Sequence, residues 1–113
     1  MSVPKLFVFD LDGCVWEPEM YELWGGGAPF TYNSKNGNLK DCSNKDVYLL
    51  GAVREILYDS KTNDKYKNST VAIASSCDEP SWAEECLKKM RIGPDLDVVL
   101  GSVFAESEIY KVP

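Results

Sequence analysis

The chain has 113 residues, of which 44% are hydrophobic, 27% charged and 12% aromatic, a composition typical of one globular domain and unlike that of a disordered protein. Twelve Lys and Arg against eighteen Asp and Glu give a net charge of −6 without a basic stripe, so no nucleic-acid partner is expected. Because histidine is absent, Ser-His-Asp and Cys-His catalysis and imidazole metal sites are excluded, and any acid, base or ligand must be a carboxylate, thiol or lysine.

The first predicted element is a strand over residues 5–9, an apolar run without polar alternation that is typical of a strand buried on both faces. The run stops at Asp10, too soon to cross a bilayer, and the residues before it do not resemble a signal peptide. No membrane partner is therefore expected. The cysteines show no C-x-x-C spacing, which favours free thiols in the cytoplasm; they are Cys14, Cys42, Cys77 and Cys86.

Residues 17–50 are predicted to form a small antiparallel flap. The three glycines Gly25 to Gly27 break both helix and strand; they could cradle a phosphate, but the absence of a P-loop lysine after them favours a flexible loop. Two β-capable pieces, 30–32 and 47–50, flank polar turns, and Asn36-Gly37 between them is a strong hairpin signal.

Two helices are predicted after the flap. The first has its apolar residues on one face. The second begins near Pro80, with Asp78 or Ser81 as the N-cap and Glu84 completing a capping box with Ser81. The apolar face of the first helix consists of Ala52, Val53, Ile56 and Leu57.

Further strands are predicted from other apolar runs. Residues 70–74 form a second buried-type strand, residues 98–100 a third, and residues 103–104 belong to another short one. The alternation of strand and helix implies parallel pairing with right-handed crossovers. We therefore expect an α/β fold with a parallel sheet covered by helices on both faces.

Polar side chains follow the first two strands where each ends. Asp10 and Asp12 come after the first strand and Ser75 after the second, and the carboxyl ends of neighbouring parallel strands meet at one edge. One carboxylate could attack a phosphoryl group if Mg²⁺ offset the negative charges. The other could protonate the leaving oxygen and then activate water, while the Ser75 hydroxyl could hold a phosphoryl oxygen.

Less specific interpretations of these features stay open. Asp-x-Asp-Gly is also a common turn sequence, although its position after a buried strand favours function. Three aromatic residues, Trp16, Trp24 and Tyr32, could line a substrate mouth or simply pack.

The segment from Phe7 to Trp16, with Asp-Leu-Asp-Gly at its centre, resembles the first motif of haloacid dehalogenase (HAD) superfamily phosphatases, particularly the magnesium-dependent phosphatase-1 group. The segments 28–30, 72–75 and 108–110 are similar to that group in order and spacing. The resemblance therefore spans nearly the whole chain.

The resemblance implies a three-layer, Rossmann-like fold without a cap domain. It makes Asp10 the phosphorylated nucleophile and a Mg²⁺ ligand, and Asp12 the general acid/base that also offers the metal its main-chain carbonyl. Ser75, with Ser76, would bind the substrate phosphate. The implied substrates are phosphomonoesters, such as phosphotyrosine proteins or phosphosugars.

Two departures from the family pattern bear on these expectations. Cys14 replaces the Thr that follows the first motif. The family continues past residue 110 to a lysine and then to a fourth strand. Lys111 is interpreted as a residue that flanks the position of that lysine and not as the lysine itself. We therefore expect residues 1–113 to form a single, partial domain whose first strand is an edge open to self-association. The alternative function is a non-catalytic interaction or regulatory protein.

Overall fold

The computed structural model describes residues 4–111, apart from the side chains of Tyr21 and Lys111. Three single-turn 3-10 helices lie at Met20–Leu23, Asp64–Tyr66 and Leu100–Val103. The strands and α-helices, in chain order, are β1 (Leu6–Phe9), β2 (Trp16–Glu17), β3 (Thr31–Tyr32), β4 (Leu39–Lys40), β5 (Asp46–Leu49), α1 (Val53–Thr62), β6 (Thr70–Cys77), α2 (Pro80–Lys89), β7 (Arg91–Ile92), β8 (Val98–Val99) and β9 (Glu106–Lys111).

A parallel sheet of three strands in the order β1-β6-β9 forms the centre of this α/β fold. Phe7 lies opposite Val71 and Phe9 opposite Ile73, so the first two apolar runs of the sequence are neighbours. Because both strands run in the same direction, their carboxyl ends lie at the same edge of the sheet. β1 pairs only with β6 among the described residues and is therefore an edge strand.

The third strand of this sheet is not the one expected from the sequence. Val98–Val99 pairs antiparallel with Arg91–Ile92 in a separate two-stranded sheet, and residues 100–103 form a 3-10 helix. The short strand expected at residues 103–104 is also absent from the described chain. The third parallel strand is β9, whose sequence Glu-Ser-Glu-Ile-Tyr-Lys begins with three exposed polar residues and therefore differs from a buried apolar run.

Both helices cover the same face of the sheet. The connection through α1 leads from β1 to its neighbour β6, and the connection through α2 leads in the same direction from β6 to β9. Because crossovers between parallel strands have the same hand, both helices lie on one side of the sheet. Ile56 of α1 lines a cavity with Phe7 and Phe9, and Leu87 of α2 lines one with Ile73.

The opposite face of the sheet is open to water. Its side chains include Leu6 and Val8, which are 57% and 55% exposed, and Ala74 and Glu108 are exposed beside them. The expectation of helices on both faces is therefore not met within residues 4–111, because the described strands step in one direction only. None of the helices in this range has the length and apolar character of a membrane span.

The α2 helix begins at Pro80, as predicted, but without the predicted cap. Glu79 is the N-cap residue and no side chain bonds to the free amides. Ser81 lies inside the first turn, so it does not form the expected capping box with Glu84.

An antiparallel sheet in the order β2-β5-β4-β3 occupies the segment predicted as a flap. Its hairpin closes around Asn36-Gly37, where Gly37 adopts a φ of +76° and its amide donates to the carbonyl of Asn33. The sequence pattern missed two of its strands, β2 and β4, which are only two residues long.

Two charged residues of α2 fasten this antiparallel sheet to the helix. The Phe30 amide donates to Glu85 Oε2 at 2.6 Å, and Lys89 Nζ donates to the Phe30 carbonyl at 2.7 Å. Burial raises the pKa of Glu85, but the hydrogen bond from the Phe30 amide and the contact with Lys89 lower it by more, so the pKa lies below its usual value. The paired charges therefore hold one end of β3 against α2.

Asp41 is the buried carboxylate that organises the loop between β4 and β5. It is 4% exposed and accepts hydrogen bonds from the Gly27 amide at 2.9 Å, the Lys45 amide at 2.8 Å and the Ser43 amide and hydroxyl at 3.0 and 2.8 Å. Burial raises the pKa of Asp41, yet these hydrogen bonds bring it below its usual value. Asp41 therefore ties Gly27 of the glycine segment to the loop between β4 and β5.

We expect Asp41→Asn to lower the free energy of unfolding at neutral pH by about 2–3 kcal/mol, because hydrogen bonds to a charged group are lost and a buried amide loses its acceptor. Since the folded-state pKa is depressed, this stabilisation is present above the unfolded-state pKa and disappears as the pH falls through the folded-state value. Urea unfolding at neutral and acidic pH measures both effects. Asp46→Asn, at an exposed ion pair with Lys40, is the control and should cost less than about 1 kcal/mol. Equal losses for the two variants would contradict the prediction.

Candidate active site

Asp10 and Ser75 meet at the carboxyl edge of the parallel sheet. The Ser75 hydroxyl donates to Asp10 Oδ1 at 2.7 Å, and the Leu11 amide donates to the same oxygen at 2.8 Å. Ser75 is 4% exposed, whereas Asp10 is exposed to solvent. Neither bond uses Asp10 Oδ2, so this oxygen is left for an incoming ligand.

The Asp12 carboxylate is held on both of its oxygens. Trp16 Nε1 donates to Oδ1 at 2.9 Å, while the Met20 amide at 3.0 Å and the Cys77 thiol at 3.4 Å donate to Oδ2. Gly13, with a φ of +72°, turns the chain directly after Asp12, and this turn lets the fully buried Trp16 reach back to the carboxylate. The side chain of Asp12 is therefore fixed in one orientation.

Cys77 acts as a neutral hydrogen-bond donor to Asp12. Burial raises the pKa of the Cys77 thiol to about 12, and the negative charge of Asp12 contributes to the increase. Burial also raises the pKa of Cys86, which lies on α2. Both thiols stay protonated at neutral pH and are poor nucleophiles.

We expect a thiol reagent to modify two cysteines in the native protein and all four after unfolding. Cys14 and Cys42 are exposed, whereas Cys77 and Cys86 are buried with raised pKa values. Counting the modified thiols with and without denaturant checks this expectation. Cys14→Ser should reduce the native count to one, and rapid modification of four thiols without denaturant would contradict the described burial.

The other sequence-predicted candidates lie apart from this pair of aspartates or outside the described part. Ser76 is exposed, and the alternation of β6 places it on the opposite face from Ser75, in register with Tyr110. Its expected role in phosphate binding has no support from this position. Cys14 is exposed on the turn after Asp12, and the side chain of Lys111 lies outside the described residues.

The oxygen atoms at this edge offer a small set of metal ligands. Residues 4–111 contain no group of three or more Cys, Asp or Glu side chains placed to hold an ion. The Asp10 carboxylate and the main-chain carbonyl of Asp12 carry oxygens of the type that Mg²⁺ takes, while the Asp12 carboxylate is already occupied by three hydrogen bonds. Mg²⁺ usually keeps several waters and takes one or two carboxylates together with substrate phosphate, so two protein oxygens fit it.

The sequence interpretation did not predict the contacts of the three residues that hold Asp12, although it considered Trp16 as part of a substrate mouth. Trp16 lies four positions after Asp12, a spacing that could have suggested contact, but Met20 acts through its backbone and Cys77 comes from a strand 65 residues away. No local pattern identifies the last two.

Comparison with known proteins adds the family. A search of the curated proteins finds no match to this sequence. The family model described as Acid Phosphatase matches residues 2–113. Because this match extends over almost the whole sequence, the chain belongs to the Acid Phosphatase family.

Proposed function

We propose that this protein is a Mg²⁺-dependent phosphomonoesterase that works through an aspartyl-phosphate on Asp10, within a cap-less, Rossmann-like HAD-type fold. The observation that carries the proposal is the 2.7 Å hydrogen bond from Ser75 to Asp10 at the carboxyl edge of two parallel strands. Membership of the Acid Phosphatase family supports phosphate-ester hydrolysis as the reaction.

In the first step Asp10 Oδ2 attacks phosphorus while the bond to the leaving oxygen breaks. Ser75 and the Leu11 amide donate to Oδ1, so these bonds leave Oδ2 as the nucleophilic atom. Asp12 in its protonated form gives its proton to the leaving oxygen, so that the alcohol departs neutral. The hydrogen bonds to Asp12 fix its position for this transfer.

In the second step Asp12, now a carboxylate, takes a proton from water. The water oxygen forms a bond to phosphorus, the bond between phosphorus and Asp10 breaks, and inorganic phosphate and free Asp10 result. Mg²⁺, held by Asp10 and the main-chain carbonyl of Asp12, would offset the charges of carboxylate and phosphate when bound.

Hydrolysis of p-nitrophenyl phosphate tests this proposal. We expect activity with Mg²⁺, its loss on chelation with EDTA and its return when Mg²⁺ is added in excess. Mass spectrometry after beryllium fluoride or phosphate trapping should place the adduct on Asp10. Phosphotyrosine peptides and phosphosugars complete the substrate panel. A folded protein that hydrolyses none of these esters would overturn the proposal and favour a non-catalytic interaction protein.

A further inference from the structure

A cavity of about 230 Å³ is lined in part by Met20, whose amide donates to Asp12, and has no part in the chemistry described above. Five residues line it: Met20, Trp24, Asp78, Glu79 and Trp82. The cavity therefore combines two indoles, a thioether and two carboxylates.

Two of the groups that hold Asp12 connect it to the cavity. The Met20 amide and the Cys77 thiol both donate to Asp12 Oδ2, and Met20 and Asp78, the residue after Cys77, line the cavity. Because Asp12 protonates the leaving oxygen in the proposed function, this cavity is the candidate location for the group attached to that oxygen.

The two tryptophans differ in how they are held. Trp24 is 91% exposed, so its indole is accessible to a bound group. The indole of Trp82 packs so closely on Gly27 that a Cβ at that position would overlap it. One aromatic wall is therefore fixed by packing, and the other is available to a bound group.

The charges around the cavity indicate what kind of chemical group it would bind. Asp78 is exposed and Glu79 half-buried, and no Lys or Arg of the described residues lines the cavity. A neutral sugar or phenol could donate hydrogen bonds to these carboxylates but carries no positive charge for them to attract. A cation would be attracted both by them and by the negative faces of the indoles, which is how proteins recognise quaternary ammonium groups.

We propose, resting on the proposed function, that this cavity binds the leaving alcohol of a phosphomonoester of an amino alcohol that carries a quaternary ammonium group. The ammonium lies against Trp24 and Trp82 near Asp78 and Glu79, while the phosphate lies at Asp10. Such a substrate brings its own positive charge to a protein of net charge −6, which reduces the repulsion of its phosphate.

The test compares phosphocholine with 3,3-dimethylbutyl phosphate, in which a neutral carbon replaces the charged nitrogen within the same shape. We expect kcat/KM to be about tenfold higher for phosphocholine, mostly through KM, as a cation–π contact and a carboxylate would give. The ratio of the two kcat/KM values should approach one in Trp24→Leu and in the double variant Asp78→Asn, Glu79→Gln. Tyr48→Leu changes an exposed aromatic residue of the antiparallel sheet and should keep the ratio.

Choline alone provides a readout that does not depend on catalysis. Choline should change the intrinsic tryptophan fluorescence of the intact protein, whereas the same concentration of 3,3-dimethylbutanol should leave the fluorescence unchanged. The Trp24→Leu substitution should abolish the change caused by choline. Hydrolysis of both esters with a ratio of one, and no response to choline, would overturn this inference and leave the phosphatase proposal intact. Choline binding without hydrolysis of any phosphomonoester would overturn the proposed function and support the cation site.

Discussion

Replacement of Asp10 by asparagine is expected to lower kcat for p-nitrophenyl phosphate by at least about 10⁴-fold, because the amide cannot form the covalent phosphoryl intermediate. The change removes the nucleophile but keeps the size of the side chain. The amide oxygen can still accept the hydrogen bond that Ser75 donates, so the edge of the sheet keeps its geometry. Steady-state kinetics with Mg²⁺ and intact-mass analysis of the trapped protein measure the effect.

The control for this substitution is Asp95→Asn, which removes an exposed carboxylate elsewhere and should leave kcat within about twofold, as expected for a surface change outside the site. Urea unfolding of the Asp10 variant should give a free energy close to that of the unmodified protein. Retention of activity in a folded Asp10→Asn protein would rule out the covalent mechanism.

Replacement of Asp12 by asparagine is expected to lower kcat by about 10²- to 10⁴-fold, the usual contribution of a general acid and base. The size of the loss should depend on the leaving group. A p-nitrophenolate departs readily without a proton, whereas an alkoxide does not, so the first step with an alkyl phosphate should be impaired more. Kinetics with p-nitrophenyl phosphate and a simple alkyl phosphate provide the comparison.

The Asp12 variant also changes hydrogen bonding, which makes a structural control necessary. The carboxylate accepts from three donors, and an asparagine amide nitrogen cannot accept from any of them. Cys77→Ser keeps a donor to Asp12 and should retain most of the activity. The general acid and base role would be contradicted if Asp12→Asn lowered kcat equally for both esters and Cys77→Ser also lost activity. Such a result would indicate that Asp12 positions the site and does not transfer a proton.

Much of the central sheet could be predicted because its first two strands are continuous apolar runs. The apolar runs at residues 5–9 and 70–74 predict sheet strands, although one face of each is open to water, contrary to the expected burial on both faces. The polar residues that follow them mark the edge where Asp10 and Ser75 meet. Parallel pairing then follows from the long helical connection between the two strands.

The third strand could not be predicted in the same way. Residues 98–100 are apolar but short, and such a run does not specify its partner; residues 98 and 99 pair with β7 instead. β9 carries Glu106 and Glu108 on the side that no described helix covers, so its composition resembles a surface segment. The polar contacts of Asp12 with Met20 and Cys77 depend on the packing of distant segments and leave no periodic signal.

The open face of the parallel sheet has a consequence for how β1 finds its alignment. Its four residues are all apolar, so a shift by one position would exchange Leu6 and Val8 with Phe7 and Phe9 at little hydrophobic cost. Hydrophobic patterning therefore discriminates weakly between the correct pairing and a slipped one. The hydrogen bond between Ser75 and Asp10 requires the observed pairing of β1 with β6, so this polar contact at the proposed nucleophile also favours the correct alignment of the two strands during folding.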